Sequence, residues 1–114
     1  MTKGWIGVDF DGTLAYYGDF RDINYGKPIE PMLIRVKEWV RRGQRVKIMT
    51  ARASDPNTLR ESIKDIQDWC EKYGLPRLEV TCQKDYDMIE LWDDRCVRVE
   101  CNTGKILSSE SIII

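Results

Sequence analysis

Residues 5–10, Trp-Ile-Gly-Val-Asp-Phe, form a short and mostly apolar run. Such a run suits a central parallel strand covered on both faces. Asp11-Gly12-Thr13 breaks it, and residues 14–30, rich in Tyr, Gly, Asp and Arg, read as a long loop. Glu30-Pro31 opens a helix, because proline at the first helical position gives up an N–H that has no intrahelical partner. Its apolar side is Leu33, Val36 and Val40, flanked by Met32 and Trp39. Arg41-Arg42 suits the negative end of the helix dipole, and Gly43 supplies the stop. A second strand is predicted over 45–50. Asp55 then caps a further helix with Pro56 in its first turn. Leu59, Ile63, Ile66, Cys70 and Tyr73 recur at steps of four and three and make one apolar stripe. Gly74 and Pro76 end that helix. Residues 78–82 and 88–92 read as third and fourth strands. Residues 96–107 read as two strands around the turn signal Asn102-Thr103-Gly104.

Strand–helix–strand–helix–strand order implies parallel pairing through right-handed crossovers. The predicted fold is α/β, a three-layer α/β sandwich with a mostly parallel sheet, in one domain over 1–114. The link 82–87 between strands three and four is short for a crossover, so the edge strand is the weakest part of this topology.

Composition narrows the chemistry. The 114 residues carry 18 Lys plus Arg against 19 Asp plus Glu, a net charge of −1. That balance gives no long-range pull toward nucleic acid or membrane. Histidine is absent, which excludes His-based triads, His–Zn sites and His phosphorelay within this chain. No apolar run approaches the roughly 20 residues of a membrane span. The four cysteines, Cys70, Cys82, Cys96 and Cys101, form no C-x-x-C, and the first residues carry no signal-peptide pattern. Four reduced, mostly buried thiols in a cytoplasmic protein are therefore expected, with a Cys96–Cys101 contact across the hairpin as a lesser alternative.

In open α/β sheets ligands sit beyond the carboxyl ends of the strands. Strand one ends in Asp9 and Asp11, strand two in Thr50 with Arg52 just beyond, strand three is followed by Lys84, and strand four ends in Asp93 and Asp94. Asp9 and Asp11, two apart in extended backbone, point the same way. Gly12 permits a sharp turn that brings backbone N–H groups to the same spot, making Gly12 and Thr13 candidate substrate contacts. Asp93 joins Asp9 to hold a hard cation, for which Mg²⁺ fits best because it takes few protein carboxylates. Lys84 and the Thr50 hydroxyl then bind the oxygens of a phosphoryl group. Asp9, kept ionised, becomes a nucleophile. Asp11 protonates the leaving oxygen and later deprotonates water, a role for which it should titrate above Asp9. Arg52 either contacts substrate or pairs with a nearby acid. The bland alternatives are a Thr50 that merely caps the next segment and an Asp93-Asp94 pair in a solvated turn.

The set Asp9-Phe10-Asp11-Gly12-Thr13, Thr50, Lys84 and Asp93-Asp94 resembles the four motifs of the haloacid dehalogenase superfamily of phosphohydrolases. Residues 48–52 and 89–95 are similar to its small phage and bacterial members. The resemblance spans about residues 5 to 95. It implies Asp9 as nucleophile and metal ligand, and Asp11 as acid/base that also lends its backbone carbonyl to the metal. It also implies Thr50 and Lys84 on the phosphoryl group, Asp93 on Mg²⁺, and Asp94 either ligating through water or orienting Lys84. The second acid of the first motif favours phosphatase over dehalogenase chemistry. Most members carry a cap domain, and here no segment has room for one. Capless members suit large phosphorylated substrates, or a neighbouring subunit supplies the lid.

The expected activity is thus Mg²⁺-dependent phosphomonoester hydrolysis through an aspartyl-phosphate. Two rivals stand beside it: a phospho-accepting module resembling a receiver domain, and a two-metal nuclease. The expected partner is a phosphorylated substrate of open class. Membrane is not expected. Nucleic acid is not indicated by charge, although a local basic patch around Arg41, Arg42 and Lys47 would change that, and an oligomer stays open. The aromatics of the loop from Tyr16 to Lys27 either cover substrate or pack on the sheet edge. Trp5, Trp39, Trp69 and Trp92 are expected in or near the core. Residues 111–114, Ser-Ile-Ile-Ile, are read as an edge strand, a dimer contact or a frayed end.

Overall fold

The computed structural model describes residues 3–17 and 25–108. Its strands are β1 (Trp5–Val8), β2 (Arg45–Met49), β3 (Glu79–Thr81) and β4 (Met88–Trp92). Its helices are α1 (Glu30–Arg41) and α2 (Leu59–Lys72). The sheet has the order β3-β2-β1-β4, and every pairing is parallel. The chain is an α/β domain with a parallel sheet, as its element order predicts.

The alternation along the strands divides the sheet into two faces. Ile6, Val8, Val46 and Ile48 share one face and join the core with Met32, Leu33 and Val36 of α1 and Ile66, Trp69 and Cys70 of α2. Both helices therefore cover the same face, as two successive right-handed crossovers in one direction require. The other face carries Trp5, fully buried, with the Lys47 ammonium 4.6 Å from its ring centre. Its cover is the 82–87 link. Asp85 accepts a hydrogen bond from the Trp5 indole at 2.9 Å, and the Trp5 backbone N–H donates to the Asp87 carbonyl. Chain without a helix thus forms the third layer there, and that is how so short a link carries the chain from β3 to β4 at the opposite edge.

α1 starts with proline in its first turn and ends at Arg41, with Arg42 as its C-cap and Gly43 following at φ +82°. α2 begins later than its sequence suggests. Asp55 accepts from the Asn57 N–H at 2.9 Å, so its side chain closes a turn over 55–58, and the helix starts at Leu59 behind Thr58. The expected hairpin over 96–107 reduces to one bridge, Val99 with Ile106, around Asn102 and Gly104 at positive φ. Both bridge residues are exposed, so little burial holds the pairing, and among the described residues no longer strands extend from the turn.

The four cysteines are free, but only Cys70 is buried; Cys82, Cys96 and Cys101 are exposed. This corrects the expectation of mostly buried thiols. Burial pushes the Cys70 thiol up to about 11, which leaves it unreactive at neutral pH. Trp5 and Trp69 lie in the core, and Trp39 and Trp92 pack against it. Among the described residues no helix is long and apolar enough to cross a membrane. Residues 18–24 and 111–114, on which the loop and chain-end readings partly rest, lie outside the described residues.

Candidate functional site

Asp9 is the first residue past β1, and its backbone N–H still donates to the Trp92 carbonyl at 2.9 Å. The chain then turns on Phe10, whose carbonyl accepts from the N–H groups of Thr13, Leu14 and Ala15. This turn, rather than extended backbone, separates Asp9 from Asp11. Gly12 sits in it at φ +87°, and a Cβ there would lie 2.6 Å from Asp94 Oδ2. Only glycine both adopts that backbone and lets Asp94 approach. The buried Thr13 hydroxyl stands between the acids. It lies 3.4 Å from Asp9 Oδ2 and 3.2 Å from Asp94 Oδ1, and accepts from the Asp94 N–H at 3.0 Å. Asp93 Oδ1 accepts from the Arg95 N–H at 2.8 Å, which folds the chain after β4 into a tight turn.

Asp9, Asp93 and Asp94 each bring an oxygen to within 4.8 Å of the others. Two oxygens on one Mg²⁺ lie at most about 4.2 Å apart, twice the metal–oxygen distance, so the set is close to one ion's ligand shell. The electrostatics agree. Burial first, then a carboxyl–carboxyl hydrogen bond to Asp94 and the charges of Asp93 and Asp94, push Asp9 up to about 7; the Thr13 hydroxyl acts the other way. Three hard oxygen donors with unbalanced negative charge suit a small divalent cation. Asp9, expected from sequence to be kept ionised, is itself raised by this arrangement.

Asp11 faces a different partner. Arg52 Nε donates to its Oδ2 at 2.6 Å and Nη2 to its Oδ1 at 2.9 Å. Of the two roles considered for Arg52, pairing with an acid is the one observed, and the acid is the second of the motif. Thr50 is buried just past β2, and its side-chain oxygen accepts from the Arg52 N–H at 3.1 Å, capping a single 3₁₀ turn over Ala51–Ala53. The capping reading of Thr50 is therefore correct. It does not exclude binding, because the hydroxyl proton is still available to a ligand.

Asp9, Asp11, Thr50, Asp93 and Asp94 line one open cleft of about 490 Å³ at the carboxyl end of the sheet. All four strand ends contribute to it as their order predicts, since Cys82, the first residue past β3, also lines it. Lys84 is not brought there: it is exposed in the 82–87 link and does not line the cleft. Past Cys82, which lines the cleft, that link runs down the sheet face to pair Asp85 with Trp5, so Lys84 leaves the strand ends. Gly12 and Thr13 also do not line it; they support the acids from beneath. The lining residues that sequence reasoning misses include Arg95 and the half-exposed Tyr17. Arg95 is visible in the sequence as the cation after Asp93-Asp94, where it reads only as a local ion-pair partner.

The loop aromatics divide. Tyr25 packs edge-on against Phe10, with ring centres 5.5 Å apart, whereas Tyr16 and Tyr17 are exposed. The basic patch does not form, because Arg41 and Arg42 pair with Glu38, and Lys47 lies 3.8 Å from both Glu79 and Asp85. No cap covers the cleft among the described residues. No family model, curated protein or solved structure matches this chain.

Proposed function

We propose that this chain is a Mg²⁺-dependent phosphomonoesterase of the haloacid dehalogenase type, working in the cytoplasm through an aspartyl-phosphate on Asp9. The observation that carries the reading is the meeting of Asp9, Asp11, Thr50, Asp93 and Asp94, from the ends of three separate strands, around one cleft.

Asp9, Asp93 and Asp94 would hold the Mg²⁺, with the Asp11 backbone carbonyl as a further ligand implied by the family resemblance. The bound ion would supply positive charge that keeps Asp9 ionised and neutralises the phosphoryl oxygens. Asp9 attacks phosphorus while Asp11 gives a proton to the leaving oxygen. Water then attacks the phosphorus, Asp11 takes its proton, and Asp9 is released with inorganic phosphate. Thr50 donates its hydroxyl proton to a phosphoryl oxygen. Arg95, which lines the cleft, takes the part of anion-binding cation that the resemblance gives to Lys84. The open mouth of the cleft suits a substrate whose own bulk covers the reacting centre.

The test is turnover of p-nitrophenyl phosphate with Mg²⁺ and with EDTA. Activity that needs Mg²⁺ and disappears in Asp9→Asn supports the reading. Undiminished turnover by Asp9→Asn defeats it.

A further inference from the structure

The Asp11 carboxylate is held by a two-point fork from Arg52, at 2.6 and 2.9 Å. Arg52 is in turn fixed from two other directions. Its guanidinium carbon lies 4.5 Å from the centre of the Tyr25 ring, and its backbone N–H donates to Thr50. Tyr25 packs on Phe10, which meets Trp69 at 4.9 Å. Trp69 Nε1 donates to the Gly26 carbonyl at 2.8 Å, beside Tyr25. A path of packed rings thus connects the core to the carboxylate, with the arginine as its last member. Arg52 itself does not line the cleft.

We propose that Arg52 is a positioning residue for Asp11: with Tyr25 as its platform, it fixes where the carboxyl group gives and takes its proton. This rests on the phosphatase reading. A carboxylate has about four lone-pair positions, and a bidentate arginine uses two of them. The remaining two are the places where a proton rides, so the fork selects the direction of transfer. In the first half-reaction the Asp9–phosphorus bond forms, the bond from phosphorus to the leaving oxygen breaks, and the Asp11 proton goes to that oxygen. In the second, water forms a bond to phosphorus, the Asp9–phosphorus bond breaks, and the water proton returns to Asp11. Arg52 touches no reacting atom and changes only the placement of the group that does.

A residue that only held the 3₁₀ turn together would damage every substrate alike. A positioning residue for the acid damages those whose leaving group needs a proton. The experiment compares kcat/KM for an alkyl phosphate and for p-nitrophenyl phosphate, whose leaving group departs without help. The ratio kcat/KM counts only steps up to leaving-group departure. Arg52→Ala is expected to lower it about 100-fold or more on the alkyl ester, the scale of general acid catalysis, and under about fivefold on the aryl ester. Arg52→Lys, which keeps the charge and loses the fork, should show the same split. Tyr25→Leu should show it in weaker form, and these two variants carry the test if Arg52→Ala does not fold. Equal losses on both esters, or full recovery of the alkyl activity by Arg52→Lys, would overturn the proposal. Wild-type protein silent on both esters would overturn the phosphatase reading itself, and the proposal with it.

Discussion

Replacing Asp9 by Asn should stabilise the metal-free protein. Asp9 is pushed from an ordinary value of 3.8 up to about 7 by burial and by the neighbouring acids. Between those values the native state holds a proton that the unfolded chain has released. Stability therefore falls as pH rises from about 4 to about 7 and stays reduced above that. A rise of that size corresponds to about 4 kcal/mol, since each tenfold change in acidity is worth about 1.4 kcal/mol. Asp9 is partly solvent-exposed, so screening roughly halves this to about 2 kcal/mol. Asn is nearly the same size and carries no charge. In EDTA at pH 8 the variant should gain about 2 kcal/mol, near 5–10 °C in Tm for a domain of this length. At pH 4 the two proteins should melt together. Adding Mg²⁺ should reverse the order, since an ion that binds only the native wild type stabilises it by about 2.7 kcal/mol at a hundred times its Kd. Denaturant melts at pH 4 and pH 8, with EDTA and with Mg²⁺, measure all four corners. An Asn variant no more stable than wild type at pH 8 in EDTA would refute the picture of a charge-strained acid cluster.

Other substitutions probe the same account. Gly12→Ala puts a methyl 2.6 Å from Asp94 Oδ2 on a backbone at φ +87°; it should cost about 1–3 kcal/mol and weaken Mg²⁺ binding, as calorimetry would record. Arg95→Ala should lose more activity on p-nitrophenyl phosphate than Lys84→Ala, and the opposite order would return the anion-binding role to Lys84. Ile66→Ala removes a fully buried side chain from the α2–sheet contact and should cost about 2–5 kcal/mol in a denaturant melt.

Much of this molecule is legible in its sequence where local chemistry decides. Pro31 and Gly43 bracket α1 because one gives up an N–H the helix does not use and the other adopts the positive φ that ends it. The short apolar runs mark the strands, and their carboxyl ends make Asp9, Thr50 and Asp93 neighbours. What sequence does not reveal depends on where the chain goes after leaving an element. Lys84 follows β3 in sequence, yet the link to β4 must cross the sheet, and Asp85 is drawn down to the Trp5 indole. Asp55 has the chemistry of a helix cap, but its side chain closes its own turn first. Cys82, Cys96 and Cys101 have strand-like surroundings that suggest burial, and the strands at those positions are short or absent. Arg52 has two readings from sequence, and only the fold can bring Asp11 to it.

The central claim is a covalent bond between Asp9 and phosphorus. Acid quenching during turnover of a phosphate ester with Mg²⁺, followed by mass spectrometry of the peptide containing Asp9, reads it directly. One added phosphoryl group on Asp9, gone when substrate is exhausted and absent in Asp9→Asn, is the expected result. Steady turnover with Asp9 never modified, or phosphate carried on another residue, would contradict the account.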